Sequence, residues 1–338
     1  MKVCFFVSVS DRVALPKSFY GQDIALLEES GHEVVVATHL ADIPRRCDLV
    51  LAWWFGSGVR AVLAAKLIRR PCLLMGNLDS ELEGPRPGYQ RMLIRYGVRH
   101  AAAVGVLSQT DYDSIKPLRP RNLFLVRPGL EVDSRIVRRS EREPIVLCVG
   151  TVGIDQSMRK RLDSLLKAIA LVAQDQPRIK FHFIGSPGTG YERFIQAARE
   201  LQIADRICLR GRVSFAARDE LYRRALMLVH PVRYESLAVA QLEAMSHGLP
   251  VITTRCPLTM EIAQETAQYC DPAKASEIAD QLRALATDHQ LWERQSINGC
   301  QRISEAYSRA RRRARLSEII DLMMAQRMPV NLGRRVAL

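Results

Sequence analysis

Short apolar runs alternate with longer amphipathic segments along most of the chain. In the first half the runs are KVCFFVSV, HEVVVAT, CDLVLAW, PCLLMG, AVGVLS and NLFLVRP, each of strand length and nearly continuous in apolar character. Strands of that kind are covered on both faces, as in a parallel sheet, and the amphipathic segments between them supply the covering helices. One such helix is GQDIALLEESG, with Ile24 and Leu27 on one face and Gly31 as its C-terminal cap. The pattern then restarts. Strands IVLCVG, IKFHFIG, RICLRG, LMLVHP and PVITT alternate with helices RLDSLLKAIALVAQD, YERFIQAARELQI and RDELYRRA, and from about residue 275 the pattern is helical. Between the two series, PGLEVDSRIVRRSEREP has turn formers, mixed charge and no apolar period. The pattern predicts an α/β protein with one domain over residues 1–140, a second over 141–310, and a last helix with a basic tail over 311–338.

Composition adds limits. At 48% hydrophobic and 25% charged residues the chain is globular, not disordered. Its eight cysteines stand singly, with no CxxC pair, and read as buried reduced thiols of a cytoplasmic protein. The first apolar run is too short for a signal peptide, and no stretch reaches the roughly 18 to 20 apolar residues of a membrane span. The net charge of +13 asks for an anionic partner, whether a nucleic acid, an acidic membrane surface or a phosphorylated ligand. That charge is spread evenly, +6 over the first 140 residues and +7 over the rest, so neither half is a basic arm and no nucleic acid is expected. No DxD lies within an acidic loop and no His/Cys spacing suggests ligation, so neither a metal nor a cofactor is expected.

The stretch RYESLAVAQLEAMSHGLPVITT, residues 233–254, carries two glutamates eight apart, Glu235 and Glu243. Pro231 ends the strand before it, and a helix is predicted from Ser236, as N-cap, to His247, with Gly248 just beyond. Glu235 then lies in a strand-to-helix loop at the carboxyl edge of the sheet, where α/β proteins bind ligands and helix amides receive phosphate. Eight residues turn a helix by about 80° beyond two full turns, so both glutamates flank one ligand only if Glu235 lies off the helix. The plainer alternative is a Glu235 that merely favours the helix dipole, worth about 0.3 to 1 kcal/mol, and a solvated Glu243. The apolar neighbours of Glu243 argue against that.

ESLAVAQLEAMSHGLPVI resembles the E-x7-E motif of family 4 retaining glycosyltransferases, including the trailing A-x-x-x-G-x-P-V. The likeness runs through the second domain, in VG, KRLDSLLKAI, FHFIGSPG, DRICLRGRVS and ELYRRALMLVHPVRYES. In the first domain it is general only, in GQDIALLEESGHEVVVAT and AVGVLSQTDYDSI. The resemblance implies the GT-B fold, two Rossmann-like domains with parallel sheets facing across a cleft. It implies retaining, metal-independent transfer of a hexose-type sugar from a nucleoside diphosphate sugar to a hydroxyl of a sugar, glycan or lipid-linked acceptor, the departing phosphate oxygen taking the acceptor proton. By position, Glu235 would meet the donor sugar and Glu243 the ribose. Ser236 and Leu237 would line the loop, and Ala238 and Val239 would offer amides to the diphosphate. Lys160 would neutralise the leaving phosphate, and Gly211, Arg212 and Val213 would touch the base.

Two positions depart from the family's pattern: Thr151 stands where an arginine is frequent, and Arg161 where a glycine is usual. Either Arg159 or Arg161 would then supply the charge, or phosphate binding would be weaker than in typical members. The rival readings are a nucleotide-sugar epimerase or phosphorylase on the same fold, and a non-catalytic basic binding protein. On the acceptor side Asn77, Asp79 and His100 lie near predicted strand ends, while His230 and His247 read as packing residues. In AYSRARRRARLSEIIDLMM, five arginines (Arg309, Arg311, Arg312, Arg313, Arg315) precede an apolar face with Ile319, Ile320 and Met323. That face either packs back on the first domain or attaches the protein to anionic lipid at the inner face of a membrane.

Overall fold

The structure, a computed structural model, describes residues 1–8, 19–78, 88–133, 137–154 and 157–326. Two compact units share the chain: Met1–Gly129 with the segment from Arg309, and Leu130–Ser308. The first crossing falls eleven residues before the expected 140/141 boundary because the start of the linker is bonded into the second unit. Leu130 N–H donates to the Tyr307 carbonyl at 2.7 Å, Asp133 N–H to that of Ser246 at 3.0 Å, and the Asp133 carboxylate pairs with Arg223 at 2.7 Å.

The first unit runs β1 (Lys2–Phe6), α1 (Phe19–Glu29), β2 (Glu33–Ala37), β3 (Leu49–Trp53), α2 (Phe55–Leu67), β4 (Cys72–Gly76), α3 (Gly88–His100), β5 (Ala103–Val106), α4 (Gln109–Ile115) and β6 (Leu123–Leu125). The strands are parallel in the order β2-β1-β3-β4-β5-β6. Every residue of β3, β4 and β5 is buried, as their unbroken apolar sequences require. Val50, Ala52, Leu74 and Val104 of the sheet pack with Ala61, Val62 and Ala65 of α2 and Val98 of α3 in one core.

The second unit runs β7 (Ile145–Val149), α5 (Ser157–Lys160), α6 (Leu162–Ala173), β8 (Lys180–Ile184), α7 (Tyr191–Glu200), β9 (Ile207–Gly211), α8 (Phe215–Arg224), β10 (Met227–Val229), α9 (Val239–Ser246), β11 (Val251–Thr254), α10 (Pro257–Ala263), β12 (Gln268–Cys270), α11 (Ala275–Thr287) and α12 (His289–Ala306). Its parallel strands lie in the order β12-β11-β10-β7-β8-β9. The chain leaves β7 toward β8 and β9 and returns to the other side of β7 as β10. The β7/β10 boundary is therefore the topological switch point, where an open α/β sheet leaves a crevice at its carboxyl edge. Two apolar cores, one on each face, hold this sheet.

The last helix, α13 (Arg309–Ala325), returns to the first unit. Leu316, Ile319, Ile320 and Met323 are buried there, so the face that the sequence left open to anionic lipid is already covered. Arg312 is buried with them. Its guanidinium grips the Asp23 carboxylate through two hydrogen bonds of 2.6 and 2.8 Å and donates to the carbonyls of Val126 and Arg127 at 2.9 and 2.7 Å. Arg309 pairs with Glu29, and Arg315 with Glu318. Among the described residues no helix is long and apolar enough to cross a membrane. The basic tail lies outside them.

Candidate active site at the carboxyl edge of the second sheet

Three glycines with positive φ close the strands at the switch-point edge: Gly150 after β7 (129°), Gly185 after β8 (149°) and Gly211 at the end of β9 (64°). A Cβ on Gly185 would stand 2.2 Å from the Gly150 carbonyl oxygen. One on Gly150 would stand 1.5 Å from Lys160 Nζ. The bare backbone at Gly150 is what allows Lys160, at the end of α5, to fold over β7. Its ammonium donates to the Val149 carbonyl at a long 3.3 Å. Burial lowers the Lys160 pKa, with Cys148 and Glu235 opposing and Arg159 adding to the fall. Thr151 follows Gly150 on the same loop and brings no cation.

Glu235 sits four residues before α9, off the helix, with its side chain only 6% exposed. Its Oε1 accepts from the Ser236 amide at 2.9 Å and from Arg159 Nη2, and its Oε2 lies 3.0 Å from His230 Nε2. A carboxylate can only accept, so His230 Nε2 carries the proton of that bond. Burial pushes the Glu235 carboxyl up, but His230, Arg159 and the Ser236 amide together outweigh it and hold the group well below the usual carboxylate range. His230, read from sequence as a packing residue, is therefore the direct partner of Glu235. Its place at the end of β10, five residues upstream, was the available signal.

The helix after Glu235 begins later than Ser236. Ser236 spends its amide on Glu235, Leu237 continues the loop, and Ala238 is the N-cap of α9 in a left-handed conformation, φ 48° and ψ 41°. A non-glycine residue held there costs on the order of 1 to 3 kcal/mol and is concentrated at functional sites. Arg161, N-cap of α6, has the same conformation, φ 44° and ψ 44°. The two starts differ in what they offer an anion: at α6 the Asp163 carboxylate already accepts from the Asp163 and Ser164 amides, whereas α9 has neither a side-chain cap bond nor an acidic residue in its first turn, so its first amides, Val239 among them, can receive one.

Glu243 lies on α9, five residues beyond Ala238. Its Oε1 pairs with Arg218 Nη2 at 2.6 Å, and its Oε2 accepts from the Tyr222 hydroxyl at 3.1 Å. Arg218 and Tyr222 stand four apart on α8 and face α9 together; neither was singled out in the sequence. Burial pushes the Glu243 carboxyl up to about 7, more than Arg218 and Tyr222 pull it back. Its folded-state pKa thus exceeds that of the unfolded chain, so the native state binds the extra proton and stability falls as pH rises from about 4.5 to about 7. Glu243→Gln should remove most of that fall; urea titrations of both proteins at pH 5 and pH 7.5 measure it, and an unchanged pH dependence refutes the assignment.

Of the remaining candidates, Arg159 reaches Glu235 while Arg161 turns away onto Asp163, through bonds of 3.1 and 3.0 Å. Gly211, Arg212 and Val213 form the loop at the end of β9, with Arg212 exposed. His247 ends α9, with Nδ1 2.9 Å from the Glu243 carbonyl and its ring 5.5 Å from that of Tyr222. In the first unit His100 ends α3 and stacks on Tyr96 at 4.0 Å. It precedes β5, at the opposite edge from the one where such sheets bind ligands, which corrects its candidacy. Asn77 follows β4 at the carboxyl edge, buried, with neither amide atom hydrogen-bonded among the described residues. Asp79 lies outside them. Among the described residues no three His, Cys, Asp or Glu are placed to hold a metal ion.

Comparison with known proteins places these elements. The chain is 22% identical over 280 residues to N-acetyl-alpha-D-glucosaminyl L-malate synthase of Bacillus anthracis, covering 77% of this chain and 71% of that protein. It is 30% identical over 115 residues to sucrose-phosphate synthase of Zea mays, 30% of this chain but only 11% of the maize protein. Among solved structures, HepE of Anabaena in complex with UDP superposes with a TM-score of 0.75 at 16% identity, covering 95% of this chain and 100% of that one. Sucrose-phosphate synthase of Thermosynechococcus elongatus gives 0.73 at 16%, covering 96% and 99%. These likenesses show the two-domain GT-B fold. Residues 131–302, just over half of the chain, match the model of the glycosyl transferases group 1, and the protein belongs to that family.

Proposed function

We propose that this group 1 glycosyltransferase is a retaining enzyme of the E-x7-E type, which takes a hexose-type sugar from a nucleoside diphosphate donor bound at the β7/β10 crevice. The observation that carries the reading is the convergence of Lys160, the Glu235–Arg159–His230 cluster and the uncapped start of α9 on one sheet edge. In this reading the diphosphate lies over the Ala238 and Val239 amides with Lys160 as its counter-charge. Glu243 accepts from the ribose, and the Gly211–Val213 loop meets the base. The HepE structures, which hold UDP and UDP-glucose, support a uridine diphosphate sugar as the first donor to try. The acceptor is a sugar, glycan or lipid-linked hydroxyl.

The electrostatics assign Glu235 a task. A carboxylate held far below its usual range is a poor proton acceptor at neutral pH, so Glu235 is not the base that activates the acceptor hydroxyl. It stays anionic beside the sugar, where it hydrogen-bonds a hydroxyl and offsets the positive charge that grows at the anomeric carbon. The acceptor proton passes to the departing phosphate oxygen, which Lys160 holds, and no metal is needed.

A thermal-shift screen of nucleoside diphosphate sugars tests donor binding, since a ligand at 100 times its dissociation constant stabilises by about 2.7 kcal/mol. With the donor found, Glu235→Gln keeps the shape of the cluster but removes its charge and should lower kcat about 100-fold while leaving the donor KM within a few-fold. The anomeric configuration of the product, read by proton NMR, decides retention. A product of inverted configuration, or full turnover by Glu235→Gln, sinks the reading.

A further inference from the structure

The carboxyl edge of the second sheet carries another concavity beyond Glu235. A cavity of about 400 Å³ lies over the ends of β10, β11 and β12, lined by Arg233, Thr254, Arg255, Tyr269 and Lys274 among others. That volume falls in the range of small-ligand sites. In the strand order β12-β11-β10-β7-β8-β9, the candidate donor loops follow β7, β8 and β9, Glu235 follows β10, and this cavity continues outward across β11 and β12. Glu235 therefore stands between the loops assigned to the donor and the cavity. The two are joined directly: Arg233 N–H donates to the Arg159 carbonyl at 2.7 Å, and Arg159 holds Glu235.

The charges of the cavity are unequal in their engagement. Lys274 pairs with Glu277 at 2.8 Å and lies 3.9 Å from Asp271, while Glu277 also accepts from the Asp271 amide. That wall is self-satisfied. Arg233 and Arg255 are exposed, and neither is drawn into a close ion pair of that wall, although Arg255 is near enough to Glu277 to help lower its pKa. Arg255 lies 5.1 Å over the Tyr269 ring, which holds its plane without consuming its donors. Two such forks, on different loops of one concave surface, suit a tetrahedral oxyanion, and the cavity also opens at the positive end of α11.

We propose that this cavity binds a phosphate group carried by the acceptor, so that the acceptor hydroxyl is presented to the sugar from the side of Glu235 opposite the nucleotide. The proposal rests on the donor assignment above for the position of the sugar, but the anion site stands on its own residues. Arg233 and Arg255 are specificity determinants in it and take no part in bond making.

The test uses the full chain carrying Lys160→Ala, which deletes the cation of the donor site, and titrates inorganic phosphate by calorimetry at low ionic strength. Saturable binding is expected, and adding Arg233→Gln and Arg255→Gln should weaken it at least about 10-fold, as the loss of charge-assisted hydrogen bonds requires. Both arginines are exposed, so the core is untouched, and an unchanged melting curve verifies it. No binding, or equal binding without the two arginines, overturns the proposal. Competition by vesicles of phosphatidic acid against glycerol 3-phosphate, in each case scored by its dependence on the two arginines, separates a lipid-borne phosphate from a soluble one. Once a donor is known, glycerol 3-phosphate should be preferred over glycerol as probe acceptor in kcat/KM. The double arginine variant should lose that preference while keeping the donor KM; an intact preference overturns the proposal. Donor binding without phosphate binding removes the anion cavity and leaves the transferase. Arginine-dependent phosphate binding without any donor hit does the reverse.

Discussion

Arg312→Ala should cost the first unit about 3 to 5 kcal/mol, the price of leaving the buried Asp23 carboxylate without its counter-charge. Both side chains are almost wholly inaccessible, at 1% and 0% exposure, so water cannot replace the lost bonds. The carbonyls of Val126 and Arg127 lose their donor in the same step. Asp23→Ala should be comparably damaging, because it strands the guanidinium instead. Replacing both by apolar residues of similar size, Asp23→Leu with Arg312→Met, should recover the part of the loss that comes from the stranded charge, the remainder being the Val126 and Arg127 carbonyls left without a donor. The three tryptophans make the measurement local: Trp53 and Trp54 are in the first unit and Trp292 in the second. In a Trp292→Phe background, urea unfolding followed by tryptophan emission reports the first unit alone. A loss below about 1 kcal/mol for Arg312→Ala would mean that the pair is already hydrated, at odds with its burial.

Lys160→Ala should lower turnover at least about 100-fold, the usual consequence of deleting one preorganised electrostatic contact. The structure gives the lysine no deputy. Arg159 is committed to Glu235, Arg161 to Asp163, and Thr151 has no charge. Arg161→Ala should accordingly leave kcat within a few-fold of wild type, and Thr151→Arg should be neutral or tighten donor binding. Gly150→Ala should reproduce the lysine defect without touching the lysine, because its Cβ would occupy the ammonium position. Single-turnover rates at saturating donor are the measurement. If Arg161→Ala is as damaging as Lys160→Ala, the phosphate charge has moved to the arginine.

The sequence was most legible where burial is complete. The runs around Leu49–Trp53, Cys72–Gly76 and Ile145–Val149 admit no polar residue because both faces of each strand are covered, and the alternation with helices follows. β12 escaped notice because three residues, QYC, two of them only partly buried, carry no period. α2 escaped because it opens on Phe-Gly-Ser-Gly, which reads as a breaker until packing overrides propensity. The start of α9 was misplaced for a related reason. Ser236 is the better cap by type, but its amide is drawn to Glu235, and the left-handed Ala238 is a tertiary constraint without a local signature. The two motif glutamates were visible as a pair. Their partners were not, since Arg159 lies 76 residues from Glu235 and Arg218 reaches Glu243 from a neighbouring helix.

The return of α13 to the first unit also sets an order of events on the ribosome. Domains ordinarily fold as they emerge, the N-terminal one first. Here Asp23 is made early and Arg312 only after all of Leu130–Ser308 has been synthesised. The second unit is continuous and has every residue it needs while the first still lacks the helix that brings Leu316, Ile319, Ile320 and Met323 to it and neutralises Asp23. All of the C-terminal unit is thus synthesised before the N-terminal one is complete, and the surface of the first unit that receives α13 stays uncovered until the last helix arrives.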